Sequence, residues 1–200
     1  MITPSALHPE STTNLYLHVR VLMGMIVGLG LTHLLRHFAR IVEHPKRHAI
    51  YWVHMAWALS MFLYLLHFWW WEFRLATVDQ WTFNLYLFVV IYALLLYLLC
   101  ALIFPENLDE NESYRSYFYY RRNWFFGVLA AVYVVDYLDT WIKGADYLHS
   151  FGAVFPLRNA GYVVASLVAM KTDKAWYHAA FVVAGLLFQL YWIGQQFEVL

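Results

Sequence analysis

The sequence predicts an all-α integral membrane protein: a bundle of about six transmembrane helices, with both termini on the non-cytoplasmic side and no soluble domain. Three observations predict it. Of 200 residues, 62% are hydrophobic and only 13% charged, with a mean hydropathy of +0.51. A soluble domain carries roughly 25% charged residues, so this chain has too few to cover a water-facing surface. Apolar runs then follow one another along nearly the whole chain, each near the roughly 20 residues that cross a hydrocarbon core at about 1.5 Å per residue. Finally, Trp52 and Trp69, Trp124 and Trp141, and Trp176 and Trp192 are 16 or 17 residues apart. That is roughly 25 Å of helix, close to the separation of the two interfacial belts that tryptophan favours.

The runs are Leu15–Phe38, Ile50–Trp71, Phe83–Phe104, Trp124–Ile142, Val154–Met170 and Trp176–Phe197, read together as one polytopic domain over residues 1–200. The N-terminal segment is polar and lacks a basic stretch ahead of an apolar core, so it reads as no cleaved signal, and the first helix is expected to direct insertion. Breakers separate the runs: Glu43-His44-Pro45, Ala76 to Gln80, Pro105 to Glu112, Gly144, Gly152 to Pro156 and Lys171 to Lys174. The fifth run is the shortest, and Pro156, Arg158 and Asn159 at its start leave a re-entrant segment as the alternative to a full crossing. Within the loop before the fourth run, Tyr114 to Arg122 follows an acidic stretch and is expected to lie in the headgroup layer.

Charge distribution gives an orientation. The loops after the first, third and fifth helices, with their helix ends, hold nine lysines and arginines, and the opposite side holds Arg20, Arg74, Lys143 and Arg158. The positive-inside rule places the basic side in the cytoplasm of a cell membrane, a bacterial-type inner membrane by this reading. Lys+Arg and Asp+Glu are both 13, so no bulk charge directs the chain to nucleic acid. The single cysteine, Cys100, excludes an intramolecular disulfide and multi-cysteine metal sites.

Polar residues within membrane helices cost roughly 2.5–3.5 kcal/mol each at mid-bilayer, so their positions carry the most information. Asp136 lies twelve residues past Trp124, about 18 Å along the axis and deep in the hydrocarbon region. Asp139 and Lys143 form an i,i+4 pair near the outer interface, but Asp136 has no such neighbour. It needs a partner from another helix, with Arg158 or Arg20 available, or it serves as a proton- or cation-binding carboxylate. With His67, Arg158, Asn159 and Gln189 at similar depth, Asp136 and Asp139 outline an outward-facing polar vestibule.

Other clusters support other readings. His54 and His67 share the second run with a 13-residue spacing, compatible with haem ligation near each leaflet, although their rings point about 140° apart on an ideal helix. His33, Arg36, His37, Arg40, His44 and Arg47 form a stripe suited to anionic lipid headgroups or another anionic ligand. Polar stripes at His178, Gln189 and Gln196, and at Asn159, Tyr162 and Ser166, suit either interhelical hydrogen bonds or an aqueous path. Gly24 and Gly28 permit close helix packing, within one subunit or in a homo-oligomer. Tyr86, Ala93, Tyr97 and Cys100 read as core.

No P-loop, HExxH, GxSxG or potassium-filter motif occurs. Three functions remain: an ion or small-solute channel or transporter built on Asp136; a haem redox protein using His54 and His67; and a non-catalytic sensor or assembly subunit acting through the basic stripe. The depth of Asp136 places permeation first, with no catalytic residue assigned and no cofactor required outside the haem reading.

Overall fold

Burial of the apolar residues inverts the soluble pattern. In the computed structural model, which describes residues 9–45, 48–78, 81–106 and 112–197, the helix Val154–Lys171 buries Asn159 and Ser166 and exposes Leu157, Val164, Leu167 and Val168. The helix Phe83–Ile103 likewise turns Leu87, Ile91, Leu94 and Leu98 outward. Water would penalise such a surface and lipid does not.

The described residues are all helical or irregular, with no strand. In order they form α1 (Pro9–Glu43), α2 (Trp52–Trp71), a 3-10 turn (Glu72–Thr77), α3 (Phe83–Ile103), α4 (Tyr114–Ile142), the short α5 (Ala145–Ser150), α6 (Val154–Lys171) and α7 (Ala175–Phe197). Among the described residues, four segments are long and apolar enough to cross a membrane: Tyr16–Glu43 of α1, α3, α4 and Ala175–Gln195 of α7. A multi-pass membrane protein is compatible with this. The helices α2 and α6, at 20 and 18 residues, match in length but fall short of the same apolar composition.

The long helices alternate in direction. At one end, hereafter the basic end, the end of α1 meets the end of α3 through Arg40 and the Glu106 carbonyl, and the start of α2 meets the start of α4 through Tyr51 and Tyr119. At the other end Tyr16 of α1 reaches the Phe73 carbonyl, and Trp192 of α7 packs on Phe151 and Phe155. The most extensive pairings are α4 with α6 and α1 with α3.

Several boundaries differ from the sequence reading. α1 begins at Pro9 and runs to Glu43, longer than its apolar run at both ends. α6 is one unbroken helix, because Pro156 falls in its first turn, where no hydrogen bond is lost. The Tyr114–Arg122 segment is the start of α4, secured by a capping box between Ser113 and Ser116. Its Tyr114, Tyr117 and Phe118 are buried in the bundle and only outward residues such as Tyr120 are exposed. Of the paired tryptophans, Trp124 and Trp141 both face outward, whereas Trp192 is buried and Trp69 packs over Gly24, where an added Cβ would come within 2.9 Å of the indole. Gly24 is therefore a packing site within the chain, while Gly28 faces open space. Lys46, Arg47, Asp109, Glu110 and the side chain of Gln196 lie outside the described residues.

Candidate functional site

The carboxylate of Asp136, on α4, is held by three side chains from two other helices. Tyr92 of α3 donates its hydroxyl to Oδ1 at 2.9 Å, and Asn159 of α6 donates Nδ2 to Oδ2 at 3.0 Å. The Arg158 guanidinium donates to the same Oδ2 in a salt bridge. Of the two arginines available to Asp136, the structure selects Arg158; Arg20 instead lies over the rings of Trp69 and Phe73. Consecutive positions on α6 supply both donors because Arg158 also ties Asn159, its Nε donating to Asn159 Oδ1 at 2.8 Å. The Asn159 amide makes a further bond to the Tyr133 carbonyl at 2.9 Å. Every partner of the carboxylate is a donor, and the one full positive charge matches the one negative charge, the arrangement that makes a buried ion pair tolerable.

Aromatic side chains complete the site. The Arg158 guanidinium sits over Tyr133, Phe155 and Trp192 at 5.6, 4.8 and 5.3 Å from the ring centres, a cation–π cage. Tyr64 shares a hydrogen bond of 3.2 Å with Tyr92. Tyr162 stacks on Tyr133 at 4.0 Å and donates to the Gly185 carbonyl at 2.9 Å. Gly185 allows that approach: a Cβ there would lie 3.3 Å from the Tyr162 oxygen.

These residues border a cavity between α2, α4, α6 and α7. His67, Trp71, Asp136, Arg158, Gln189 and Trp192 are among its walls, and it offers about 40 Å³ to water centres, room for a few molecules. It runs from the end carrying the 3-10 turn and α5 toward the middle of the bundle. Of the residues expected to outline a vestibule, His67, Asp136, Arg158 and Gln189 line the cavity, and Asn159 stands behind the carboxylate. Gln189 is itself anchored, accepting from Ser60 Oγ at 2.9 Å and donating to the Ser60 carbonyl at 3.2 Å. Asp139 belongs to a separate cluster. There Lys143 Nζ donates to Asp139 at 2.5 Å and to Glu72 at 2.9 Å, all three side chains being 2% exposed. Burial and the neighbouring Asp139 push the Glu72 carboxyl up to about 8, even against Lys143. Burial pulls Lys143 down, but its two carboxylates outweigh this and hold it above its ordinary range.

The sequence reading did not include Tyr64, Tyr92 or Glu72, and it named Tyr162 only as part of a polar stripe. A signal existed for the tyrosines, since a phenol in mid-helix must find a hydrogen-bond partner when buried. Glu72 immediately follows an apolar run, and nothing in the sequence pattern marks it out.

The histidines at the basic end have structural partners. His54 is 1% exposed, and its Nε2 meets the Ile103 carbonyl at 2.5 Å. Phe104, Tyr114, Tyr117 and Phe118 surround the ring, and the void beside it offers about 10 Å³ to water centres. A haem macrocycle does not fit there. His67 stacks on Trp71 instead. His37 bridges the carbonyls of His33 and Pro105, and His178 meets that of Thr172. Arg36 is exposed, and Arg40 reaches the Glu106 carbonyl. Among the described residues no group of three or more His, Cys, Asp or Glu side chains could hold a metal ion. Comparison with known proteins finds no matching family, curated protein or solved structure.

Proposed function

We propose that this chain is a six-span membrane protein that admits a small ion or polar solute to the interior of its bundle, with the Asp136–Arg158 pair as the charged element of the path. The observation that carries this reading is the cavity itself: its floor is a neutralised ion pair and its walls are aromatic, within helices whose outer faces are apolar. Both termini then lie on the non-cytoplasmic side, with the basic end in the cytoplasm, and the cavity opens outward. At the basic end, Arg36 and Arg40 would contact anionic headgroups.

The chemistry follows from the pairing. With Arg158 bound to Asp136 the site is electrically neutral and narrow. A proton or cation arriving at Asp136 weakens the hold on Arg158, and an anion arriving at Arg158 competes with Asp136. Either exchange frees one charged group to move within the aromatic cage, and an ion pair without such competition stays closed. Tyr92 and Asn159 keep the carboxylate on its helix while its partner changes.

The test is solute flux into proteoliposomes holding the purified chain, first with a panel of monovalent ions and small organic acids and amines. Asp136→Asn preserves shape and donors' positions, and should reduce flux at least tenfold in protein that still inserts. Gln189→Leu, which leaves the ion pair intact, should alter rate or selectivity. Unchanged flux in both variants rejects the reading.

A further inference from the structure

One turn beyond Asp136 lies a second buried ionic group whose charges do not balance. Lys143, the C-cap residue that follows α4, places one ammonium between two carboxylates, Asp139 at 2.5 Å and Glu72 at 2.9 Å. All three side chains are 2% exposed. The ion pairs of both carboxylates go to this one lysine. Glu72 Oε2 is buried without a hydrogen-bond partner. If both acids were ionised, the triad would carry one excess negative charge with a bare carboxylate oxygen. An uncompensated buried charge is far more costly than a neutral buried hydroxyl.

The neighbours on every side have their own engagements. From α1, Arg20 lies over Trp69 and Phe73, and Tyr16 donates its hydroxyl to the Phe73 carbonyl at 3.5 Å. In the 3-10 turn, Arg74 lies over the Tyr147 ring of α5 at 4.6 Å. Along α4, Asp136 is neutralised by Arg158 and adds negative potential to the triad.

We propose that Glu72 and Asp139 hold one proton between them, making the triad a proton-binding site beside the outer mouth of the cavity. The occupied form is a carboxylic acid, a carboxylate and an ammonium with no net charge. Loss of the proton to water leaves two carboxylates on one lysine, a net charge of minus one. Lys143 already fills the position a metal or monovalent cation would take, so the ligand class is the proton. Glu72 is the residue that carries it, because its Oε2 is buried with no hydrogen-bond partner; burial raises its affinity for the proton in the same sense. Trp71, the residue before Glu72, lines the cavity, so the state of the triad is felt at the cavity wall. The site stands whether or not the cavity passes a solute.

The experiment is infrared spectroscopy of the full chain in lipid vesicles near neutral pH, in H₂O and in D₂O. A protonated carboxyl has a C=O stretch distinct from carboxylate bands and shifts on deuteration. Wild type should show one such carboxyl, fading as the medium is made alkaline. Glu72→Gln and Asp139→Asn each leave one carboxylate for one lysine, so each should remove the band, while Asp136→Asn should keep it. Two variants are named so that misfolding of one does not block the test. The proposal is overturned if wild type shows no protonated carboxyl at neutral pH, or if its band survives in both Glu72→Gln and Asp139→Asn.

Discussion

The two ends of the bundle treat buried polarity in opposite ways. At the basic end, imidazoles tie helices together through backbone carbonyls: His54 to Ile103, His37 to Pro105 and His178 to Thr172. Those carbonyls lie at or just beyond the ends of α3 and α6, where the last four acceptors of a helix have no partner in their own chain turn. Each histidine therefore completes an unsatisfied acceptor and is enclosed by aromatic rings. At the opposite end the buried groups are charged, Asp136 with Arg158 and the pair of acids on Lys143, and a cavity opens beside the first of these. A hydrogen bond that satisfies both partners rigidifies. Charges that depend on one another, with space beside them, can exchange partners.

Breaking the ion pair is the sharpest way to expose this contrast. Asp136→Ala leaves the buried Arg158 without its counter-charge and should cost about 3–5 kcal/mol, read as a lower midpoint for thermal or denaturant unfolding in detergent. The Asp136→Leu, Arg158→Leu double variant should recover most of that loss, because it removes both charges together. At the basic end, His54→Phe replaces one ring by another and leaves the Ile103 carbonyl without its donor. It should cost about 1–3 kcal/mol and leave any flux through the cavity in place.

Packing offers a smaller contrast. Gly24→Leu forces Trp69 aside and should destabilise by about 1–3 kcal/mol, whereas Gly28→Ala, facing open space, should be neutral or slightly stabilising. Thermal unfolding of the two variants side by side checks the pair.

pH adds a test of sign. Glu72 has an ordinary value of 4.5 and is raised in the folded chain to about 8. Over that interval the unfolded chain releases a proton that the folded chain keeps, so stability falls as pH rises. The contribution is fully present below about 4.5 and is lost as pH passes about 8. Glu72→Gln should flatten that slope, while His54→Phe should leave it unchanged.

How far this was legible from sequence differs between the elements. The apolar runs located the long helices, because burial in lipid imposes length and composition together. Helix ends beyond the apolar limit escaped: Tyr114 to Asn123 is helical because of a capping box and an aromatic face, features a hydropathy reading passes over. Asp136 stood out because a carboxylate that deep has a cost that something must offset. Its partner on α6 was one of two arginines named, but choosing between them required the α4–α6 contact. Tyr92, the third support of that carboxylate, lies amid leucines whose pattern gives no sign of its hydroxyl's target. His54 drew attention as a haem ligand because composition shows a histidine in a membrane helix. The carbonyl of Ile103 that actually receives it is a backbone group, visible only once α2 and α3 are placed side by side.

The central claim is that water-soluble species reach the Asp136–Arg158 cavity from one side while the helices' outer faces lie in lipid. Cysteine accessibility in proteoliposomes tests this directly, using a Cys100→Ser background and a charged, membrane-impermeant thiol reagent. His67→Cys, in the cavity wall, should be modified when the reagent is on the side bearing the 3-10 turn and α5, and not from the other side. Leu187→Cys, on the outward face of α7, should stay unmodified from both. A protected His67→Cys together with a reactive Leu187→Cys would contradict the account, since it would place lipid where the cavity is and water where the lipid should be.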